Sequence, residues 1–232
     1  MALFERIAEY GFRVNLAKCS FGKTEVRYLG NIIDKAGRRP DPAKVKAIVD
    51  MPAPKDIKEL RAFLGMLNYY GVFIPQMRVV RAPLDALLKK DTQFRWSASV
   101  QKAFQEAKQV LLSNLALTHY DPELPIIVAA DASNYGIGAV ILHQLPDGSQ
   151  KAIQHASKAL TTAQQAYSQI EKEGLALVFA VQKFDRFLFG RRFTLLTDHR
   201  PLLSIFGGYI RSPSIYGKSV TEMSHYSTRL RL

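Results

Sequence analysis

The chain reads IIVAADASNYGIGAVIL between residues 126 and 142. An apolar run over residues 126–130 ends at Asp131, a glycine-bearing turn follows over 132–138, and a second apolar run begins at Ala139. Short apolar runs bounded by turn residues are typical of strands that are covered on both faces. A carboxylate there is costly to bury unless it is protonated, hydrogen-bonded or bound to a cation. Asp131 is therefore a candidate site residue, and an Asp that simply opens a turn is the alternative.

A second acidic candidate is Glu173, which lies in residues 162–189, a stretch without proline that is long enough for one helix. At helical spacing Glu173 shares a face with apolar residues, among them Ala176, Leu177 and Ala180. Glu171 lies about 200° round the helix. The pattern prefers Glu173, and a solvated helix charge is the alternative for either glutamate.

The third candidate is Asp198, which follows the β-prone run FTLLT over residues 193–197. Pro201 is well placed to begin a short helix over residues 202–206. Taken alone, Asp198 is typical of a helix cap. Its position after a strand repeats the position of Asp131, which favours a shared site.

The order of elements predicts an α/β fold, with three strands, a long helix and a further strand. The first and last of these strands can pair in parallel through the helical crossover, which brings Asp131 and Asp198 together with Glu173 beside them. Three carboxylates without cysteine or paired histidine select a hard cation, Mg²⁺ or Mn²⁺. Such a cluster suits phosphoryl chemistry with two ions about 3.5–4 Å apart.

Three motifs in this region carry a family resemblance: DASNYGIGAV at 131–140, YSQIEKE at 167–173 and TDHRPL at 197–202. They resemble the ribonuclease H domain of gypsy-type long-terminal-repeat retroelement Pol polyproteins, and FRWS at 94–97 resembles the lead-in to that domain. The resemblance implies a ribonuclease-H-like mixed sheet with a crossover helix over residues 91–206. It also implies metal-dependent hydrolysis of RNA in RNA–DNA hybrids, with Asp131, Glu173 and Asp198 as catalytic metal ligands.

The resemblance extends upstream over residues 1–90. YGFRVN at 10–15 looks like the end of a reverse transcriptase palm, VRYLGNII at 26–33 like the primer-grip hairpin, and the segment from residue 55 to 75 like the helical thumb. Gly71 stands where the family usually has arginine. The resemblance marks six residues as candidates for nucleic-acid binding: Tyr28, Gly30, Lys58, Arg61, Tyr69 and Tyr70.

Two parts of the family pattern are missing from the sequence. The Tyr-x-Asp-Asp hairpin of the polymerase site does not occur, so we expect no polymerase activity from this chain alone. Residues 207–232 leave the pattern, and they predict neither the terminal helix, nor the fifth strand, nor the fourth catalytic aspartate. We therefore expect a C-terminally truncated ribonuclease H domain with one uncovered sheet edge. The divergent tail suggests a frameshifted reading of the family's sequence.

Charge and composition agree with a folded nucleic-acid-binding protein. The chain has 232 residues, 47% of them apolar, and a net charge of +12. Residues 1–90 hold 17 of its 32 lysines and arginines, which favours contact with a phosphate backbone over a merely soluble basic surface. One cysteine, no signal-peptide pattern and no apolar run of membrane-spanning length predict an intracellular, cytoplasmic protein with no membrane partner. A virus-like particle and the nucleus are alternative locations.

The expected partners are an RNA–DNA hybrid or other nucleic acid and the rest of a Pol polyprotein, with Mg²⁺ or Mn²⁺ as cofactor. An inactive nucleic-acid-binding remnant of a retrotransposon polymerase is the alternative function. A third alternative is a product that folds poorly and has no activity.

Overall fold

The structure is a computed structural model that describes residues 2–90, 92–113, 115–202 and 219–223. The N-terminal half contains a small antiparallel sheet and a set of helices. Its elements are α1 (Ala2–Glu9), a 3₁₀ turn (Leu16–Lys18), β1 (Glu25–Tyr28), β2 (Asn31–Asp34), β3 (Gly37–Pro40), α2 (Pro42–Val49), α3 (Ile57–Tyr69), α4 (Met77–Val80), α5 (Ala82–Ala86) and α6 (Ala98–Leu112).

The second half is built around a five-stranded sheet with strand order β6-β5-β4-β7-β8. Strands β4 and β7 are parallel neighbours, and every other pair in the sheet is antiparallel. The elements are β4 (Ile126–Ala132), β5 (Gly136–Gln144), β6 (Gln150–Ala159), α7 (Thr162–Gln165), α8 (Gln169–Lys183), α9 (Asp185–Leu188), β7 (Phe193–Thr197) and β8 (Ser219–Met223). The predicted mixed α/β fold is confirmed, including the parallel pairing of the first strand with the strand after the helix.

Local sequence signals explain helix α3 of the first half. The Asp56 carboxylate accepts the Glu59 N–H at 2.7 Å, which caps the N-terminus of α3. Its buried residues, Leu60, Phe63, Leu64 and Leu67, recur at helical spacing and face one core. This core also takes in α2, α5 and α6, and Phe63 meets Phe104 of α6 with ring centroids 4.7 Å apart.

The single helix predicted over residues 162–189 is wrong, because the chain forms three helices there. Two capping boxes account for the first break: Thr161 and Gln164 begin α7, and Ser168 and Glu171 begin α8. The Glu171 carboxylate accepts hydrogen bonds from both the Ser168 N–H and its hydroxyl, at 2.8 and 2.6 Å. Each box satisfies backbone donors that a continuous helix would use internally, so the chain restarts at Ser168.

The prediction that the tail contributes no fifth strand is also wrong. Strand β8 pairs antiparallel with β7 from Ser219 opposite Thr197 to Met223 opposite Phe193. The edge of β7 is therefore covered by β8. The short run SVTEM alternates weakly and carries Val and Thr, which suit a strand, but it lies in a segment without an apolar period. The predicted helix over 202–206 lies mainly outside the described residues. Arg200, Pro201 and Leu202, which the structure does describe, are helical.

The packing of α6 bears on domain organisation. Buried residues of α6, among them Val100, Phe104 and Leu111, belong to the core of the N-terminal half rather than to the core under the large sheet. The domain boundaries at residues 90 and 206 remain predictions. In the packing, the change from one core to the other falls after Leu117.

Strand β6, at the other edge of the large sheet, is met by backbone from the N-terminal half. The His155 N–H donates to the Val72 carbonyl at 2.8 Å, and the Thr118 N–H donates to the Ala152 carbonyl at 2.7 Å. These hydrogen bonds occupy backbone groups that an edge strand otherwise leaves open. They also fix the position of the N-terminal half (the helical half, up to Leu117) against the sheet.

Within the parts of the chain that the structure describes, no helix has the length and apolar character needed to cross a membrane.

Candidate functional site

Asp131 lies within strand β4, opposite Gly138 of β5. It is one residue before the end of the strand, so the predicted turn is shorter than expected and begins after Ala132. The side chain of Asp131 is exposed, and the argument from burial that first marked it does not hold. Its Oδ2 accepts a hydrogen bond from Nε2 of Gln76 at 3.0 Å.

Asp198 follows β7 directly and is also exposed. Because β4 and β7 are parallel neighbours, both aspartates stand at the same end of the sheet. They line one small cavity of about 120 Å³, together with Ala129, Ala130, Leu196 and Thr197. The structure thus brings together two of the three predicted acids at the carboxyl ends of adjacent parallel strands, where ligands bind in many α/β sheets.

Glu173 is buried on α8, with 4% of its surface exposed. Its Oε1 accepts a hydrogen bond from Nε2 of Gln169 at 2.7 Å. Burial raises the pKa of the Glu173 carboxyl, the hydrogen bond from Gln169 opposes this, and the negative charges of Asp131 and Asp198 raise it further. The third predicted acid therefore lies within electrostatic reach of the other two.

The two glutamates of α8 have different hydrogen-bond partners. Glu171 is exposed and holds Ser168 as part of the helix cap. The hydrogen bonds from Ser168 lower the pKa of Glu171. Because the Glu171 carboxylate is bound in a helix cap, Glu173 remains the candidate glutamate.

The donor set fits a hard divalent cation in chemistry but not as one closed cluster. Asp131, Glu173 and Asp198 offer only carboxylate oxygens, which Mg²⁺ and Mn²⁺ prefer. Within the described ranges, no three acidic, histidine or cysteine side chains converge closely enough to hold one ion. Asp131 and Asp198 line one cavity, and the buried Glu173 lies on α8 outside that lining.

The six residues predicted for nucleic-acid binding have different surroundings. The Tyr69 hydroxyl donates to the Leu29 carbonyl, and the Tyr70 hydroxyl donates to the Gly30 carbonyl at 3.1 Å. Tyr70 is buried with 3% exposure, and its hydroxyl holds the β1–β2 turn. Its contact with nucleic acid stays a prediction. Tyr69 and Tyr28 stay 50% and 60% exposed and keep a ring surface open to solvent.

Gly30 and Leu29 both have positive φ, 73° and 46°, in this turn. A side chain at Gly30 would place its Cβ 3.0 Å from the Tyr70 hydroxyl, so a glycine is required there for close approach. Gly30 therefore contributes turn geometry, and the turn presents the exposed Leu29 side chain.

Lys58 and Arg61 are exposed on α3. Arg61 also lines a second, open cavity of about 270 Å³ between α3 and the α4–α5 segment, with Arg78 and Arg81. Arg81 is paired with Asp85 at 2.7 Å, and Arg78 reaches the same carboxylate at 3.7 Å. Arg61, Arg78 and Arg81 all line this cavity, and the single carboxylate of Asp85 pairs with two of them, Arg78 and Arg81. This face of the helical half therefore has a net positive charge.

Sequence reasoning missed two residues of the site, Gln76 and Gln169. Gln169 precedes Glu173 by one helical turn, and that spacing was an available signal. Gln76 is 55 residues away from Asp131 in sequence and carries no motif that marks it. Only the docking of the helical half on the sheet brings its amide to Asp131.

Comparison with known proteins places this geometry in context. The family profile described as "RNase H-like domain found in reverse transcriptase" matches residues 96–195. The retrovirus-related Pol polyprotein from transposon 297 of Drosophila melanogaster is 37% identical over 201 residues, which cover 86% of this chain and 18% of the relative. The transposon Tf2-3 polyprotein of Schizosaccharomyces pombe is 32% identical over 203 residues, covering 87% of this chain and 15% of the relative.

Solved structures of a reverse transcriptase have a similar fold. The foamy viral protease-reverse transcriptase in complex with an RNA/DNA hybrid superposes with a TM-score of 0.70 at 26% identity, covering 82% of this chain and 26% of that one. The complex of its dRH form with double-stranded DNA gives a TM-score of 0.70 at 25% identity, covering 82% and 33%. The chain spans less than a fifth of the length of the two polyproteins above.

Proposed function

This chain carries an RNase H-like domain of the kind found in reverse transcriptase and belongs with the retrotransposon Pol polyproteins, and from that premise we propose that it hydrolyses the RNA strand of RNA–DNA hybrids with divalent metal ions. One observation carries the proposal. Asp131 and Asp198 line a single cavity at the ends of two parallel strands. The negative charges of both aspartates raise the pKa of the buried Glu173.

The cofactor proposed for this site is Mg²⁺, with Mn²⁺ as a substitute. Asp131 and Asp198 would hold it from the sheet, and Glu173 would add its negative charge from α8, outside the cavity lining. When bound, the metal activates water and stabilises the leaving oxygen of a phosphodiester.

The protein side chains supply negative charge, hold the carboxylates in position and bind a proton at Glu173. The aspartates supply negative charge at the open end of the sheet, and Gln169 fixes the Glu173 carboxylate by its hydrogen bond. Because burial raises the pKa of Glu173, a larger fraction of this carboxyl is protonated than of an exposed glutamate at the same pH. Cation binding must displace that proton, so we propose that metal affinity increases as the pH rises through this pKa.

The helical half would hold the duplex. The foamy viral enzyme has been solved with double-stranded DNA and with an RNA/DNA hybrid, and we propose the same class of ligand for this chain. Exposed cations on α3, Lys58 and Arg61, suit phosphate contacts, and the exposed rings of Tyr28 and Tyr69 suit contacts with sugar or base.

The test is cleavage of an end-labelled RNA–DNA hybrid by the purified chain in Mg²⁺ and in Mn²⁺. We expect metal-dependent cutting that Asp131→Asn and Asp198→Asn each reduce at least about a hundredfold, because each removes a charged ligand from the reacting centre. Asp185→Asn, an exposed acid at the start of α9, serves as the matched control and should cut normally. Cutting that survives both substitutions would place the chemistry elsewhere.

A second candidate function is binding of the hybrid without cleavage, as an inactive remnant. It is favoured by the lack of a converged three-ligand cluster among the residues that the structure describes. A protein that binds the hybrid, unfolds cooperatively in urea and does not cut in either metal would establish this alternative. Failure to unfold cooperatively would instead support the poorly folded product.

A further inference from the structure

Gln76 reaches the candidate site from outside the matched RNase H-like region. It lies between α3 and α4, in the segment of residues 72–79 that docks on strands β5 and β6, whereas the family profile begins at residue 96. Its Nε2 donates to Oδ2 of Asp131 at 3.0 Å. The contact therefore joins the helical half directly to one of the two aspartates that line the cavity.

The backbone of Gln76 is held in an uncommon conformation. Its φ and ψ are 47° and 32°, the left-handed region, which costs a non-glycine residue about 1 kcal/mol or more. Such a conformation persists when the surroundings determine it. Here the Val72 carbonyl accepts from the His155 N–H at 2.8 Å, and the Arg78 N–H donates to the Ser157 hydroxyl at 3.2 Å. The docked segment is fixed on both sides of Gln76.

The sheet is shaped to receive this side chain. Gly138 lies opposite Asp131 in the β4–β5 pairing, and a Cβ added there would be 3.2 Å from Cγ of Gln76. The absence of a side chain at Gly138 lets Gln76 lie flat against β5 and point its amide at the carboxylate.

We propose that Gln76 is a positioning residue that holds the Asp131 carboxylate in the orientation needed for metal binding. Asp131 is exposed at its strand position, and an exposed aspartate is free to change rotamer. A single amide donor fixes one oxygen and leaves lone pairs on both oxygens for a cation. Hydrogen bonds to ligating carboxylates orient them in this way, and their loss commonly weakens metal binding about 10- to 100-fold.

This inference rests on the proposed function, since it assigns Asp131 to a metal. It adds that the site is completed by the helical half. A domain limited to the matched residues 96–195 would lack this hydrogen bond.

The test compares Mg²⁺ binding by calorimetry in the full chain and three variants. Gln76→Met keeps the length of the side chain and its packing on Gly138 but removes the donor. We expect it to weaken Mg²⁺ binding about tenfold, the lower end of that range, because a single hydrogen bond is lost. Gly138→Ala pushes Gln76 outward while leaving its amide intact, and it should weaken binding in the same direction. Gln182→Met, an exposed residue on α8, is the control and should bind normally.

A second readout separates positioning from the proposed catalytic role. Urea unfolding without metal is measured for Gln76→Met, Asp131→Asn and the double variant. A hydrogen bond between the two residues predicts non-additive shifts of the unfolding midpoint. If the wild type binds no Mg²⁺, the proposed function fails, and this cycle alone decides whether the contact exists. Additive shifts, or normal Mg²⁺ affinity in Gln76→Met, would overturn the inference.

Discussion

At the scale of single residues, two glutamates two positions apart have opposite roles. Glu173 is buried on α8, and its pKa is raised by burial and by the charges of Asp131 and Asp198. Glu171 is exposed in a helix cap, and its pKa is lowered by hydrogen bonds from Ser168. A negative charge at Glu173 therefore destabilises the folded state, whereas a negative charge at Glu171 stabilises it.

The substitution Glu173→Gln should stabilise the protein at neutral pH and abolish cleavage. A carboxyl with a folded-state pKa above its unfolded value contributes stability at low pH, and that stability is lost as the pH rises through the folded pKa. The amide introduced by this substitution carries no charge, so the variant should gain on the order of 1 kcal/mol over the wild type at about pH 7. Urea unfolding from about pH 4 to about pH 8 measures the difference, which should grow with pH.

Glu171→Gln provides the opposite control for that experiment. A carboxyl whose folded-state pKa is lowered contributes stability above its unfolded pKa and loses it as the pH falls through the folded pKa. This variant should therefore be less stable than the wild type at about pH 7 and approach it in acid. Equal pH profiles for the two variants would contradict the assignment of Glu173 to the buried site.

At the scale of elements, the β2–β3 hairpin is fixed to the linker that precedes β4. Arg38 and Leu117 exchange backbone hydrogen bonds of 2.8 and 2.9 Å as an isolated antiparallel bridge. Gly37, at the tip, has φ of 146°, and a Cβ there would lie 1.8 Å from the Leu117 carbonyl oxygen. No side chain fits unless the backbone of the linker moves.

We expect Gly37→Ala to destabilise the fold by about 3 kcal/mol or more, because the clash is with backbone rather than with a movable side chain. Gly148→Ala is the matched control, since Gly148 also has positive φ, 82°, but nothing lies within 4 Å of its added Cβ. It should cost only about 1 kcal/mol of backbone strain. Urea midpoints measure both, and similar losses in the two variants would show that the Arg38–Leu117 contact does not form.

At the scale of the whole molecule, the helical half and the sheet meet at the edge strand β6. The helical half carries most of the net positive charge of the chain. Its cations include Lys58 and Arg61 on α3 and the arginines that line the second cavity. A duplex held by this half would approach the acidic cavity through the segment that carries Gln76. The two halves would then divide binding and cleavage between them.

Binding of an RNA–DNA hybrid should therefore depend strongly on salt, and the dependence should come from the helical half. Each phosphate contact contributes roughly 0.7–0.9 to the slope of log affinity against log salt. Lys58→Ala and Arg61→Ala should each reduce the slope by about 1, whereas Lys102→Ala on α6, paired with Glu106 at 3.8 Å, should leave it unchanged. Fluorescence anisotropy from about 50 to about 300 mM salt, the range in which this dependence is visible, measures the slopes. Equal slopes in all three variants would remove α3 from the interface.

The sequence by itself determined the strand pattern, the candidate acids and the family. Apolar runs that end in Asp131 and Asp198 are local features, and the parallel pairing of β4 with β7 follows from the order of elements. The sequence preferred Glu173 to Glu171 from helical spacing alone. The strand pattern and the family were confirmed because periodicity and turn residues are local features of the sequence, whereas the three acids stay candidates.

Only the tertiary structure decided the rest. The break at Ser168 is an exception, since its capping box is a local signal that the sequence analysis overlooked. Strand β8, by contrast, depends on an available edge of β7. The contact of Gln76 with Asp131 depends on docking across 55 residues of sequence. Long-range contacts are selected by shape, burial and open hydrogen-bonding groups, which no local pattern encodes, and so the surroundings of the candidate site emerged only from the packed molecule.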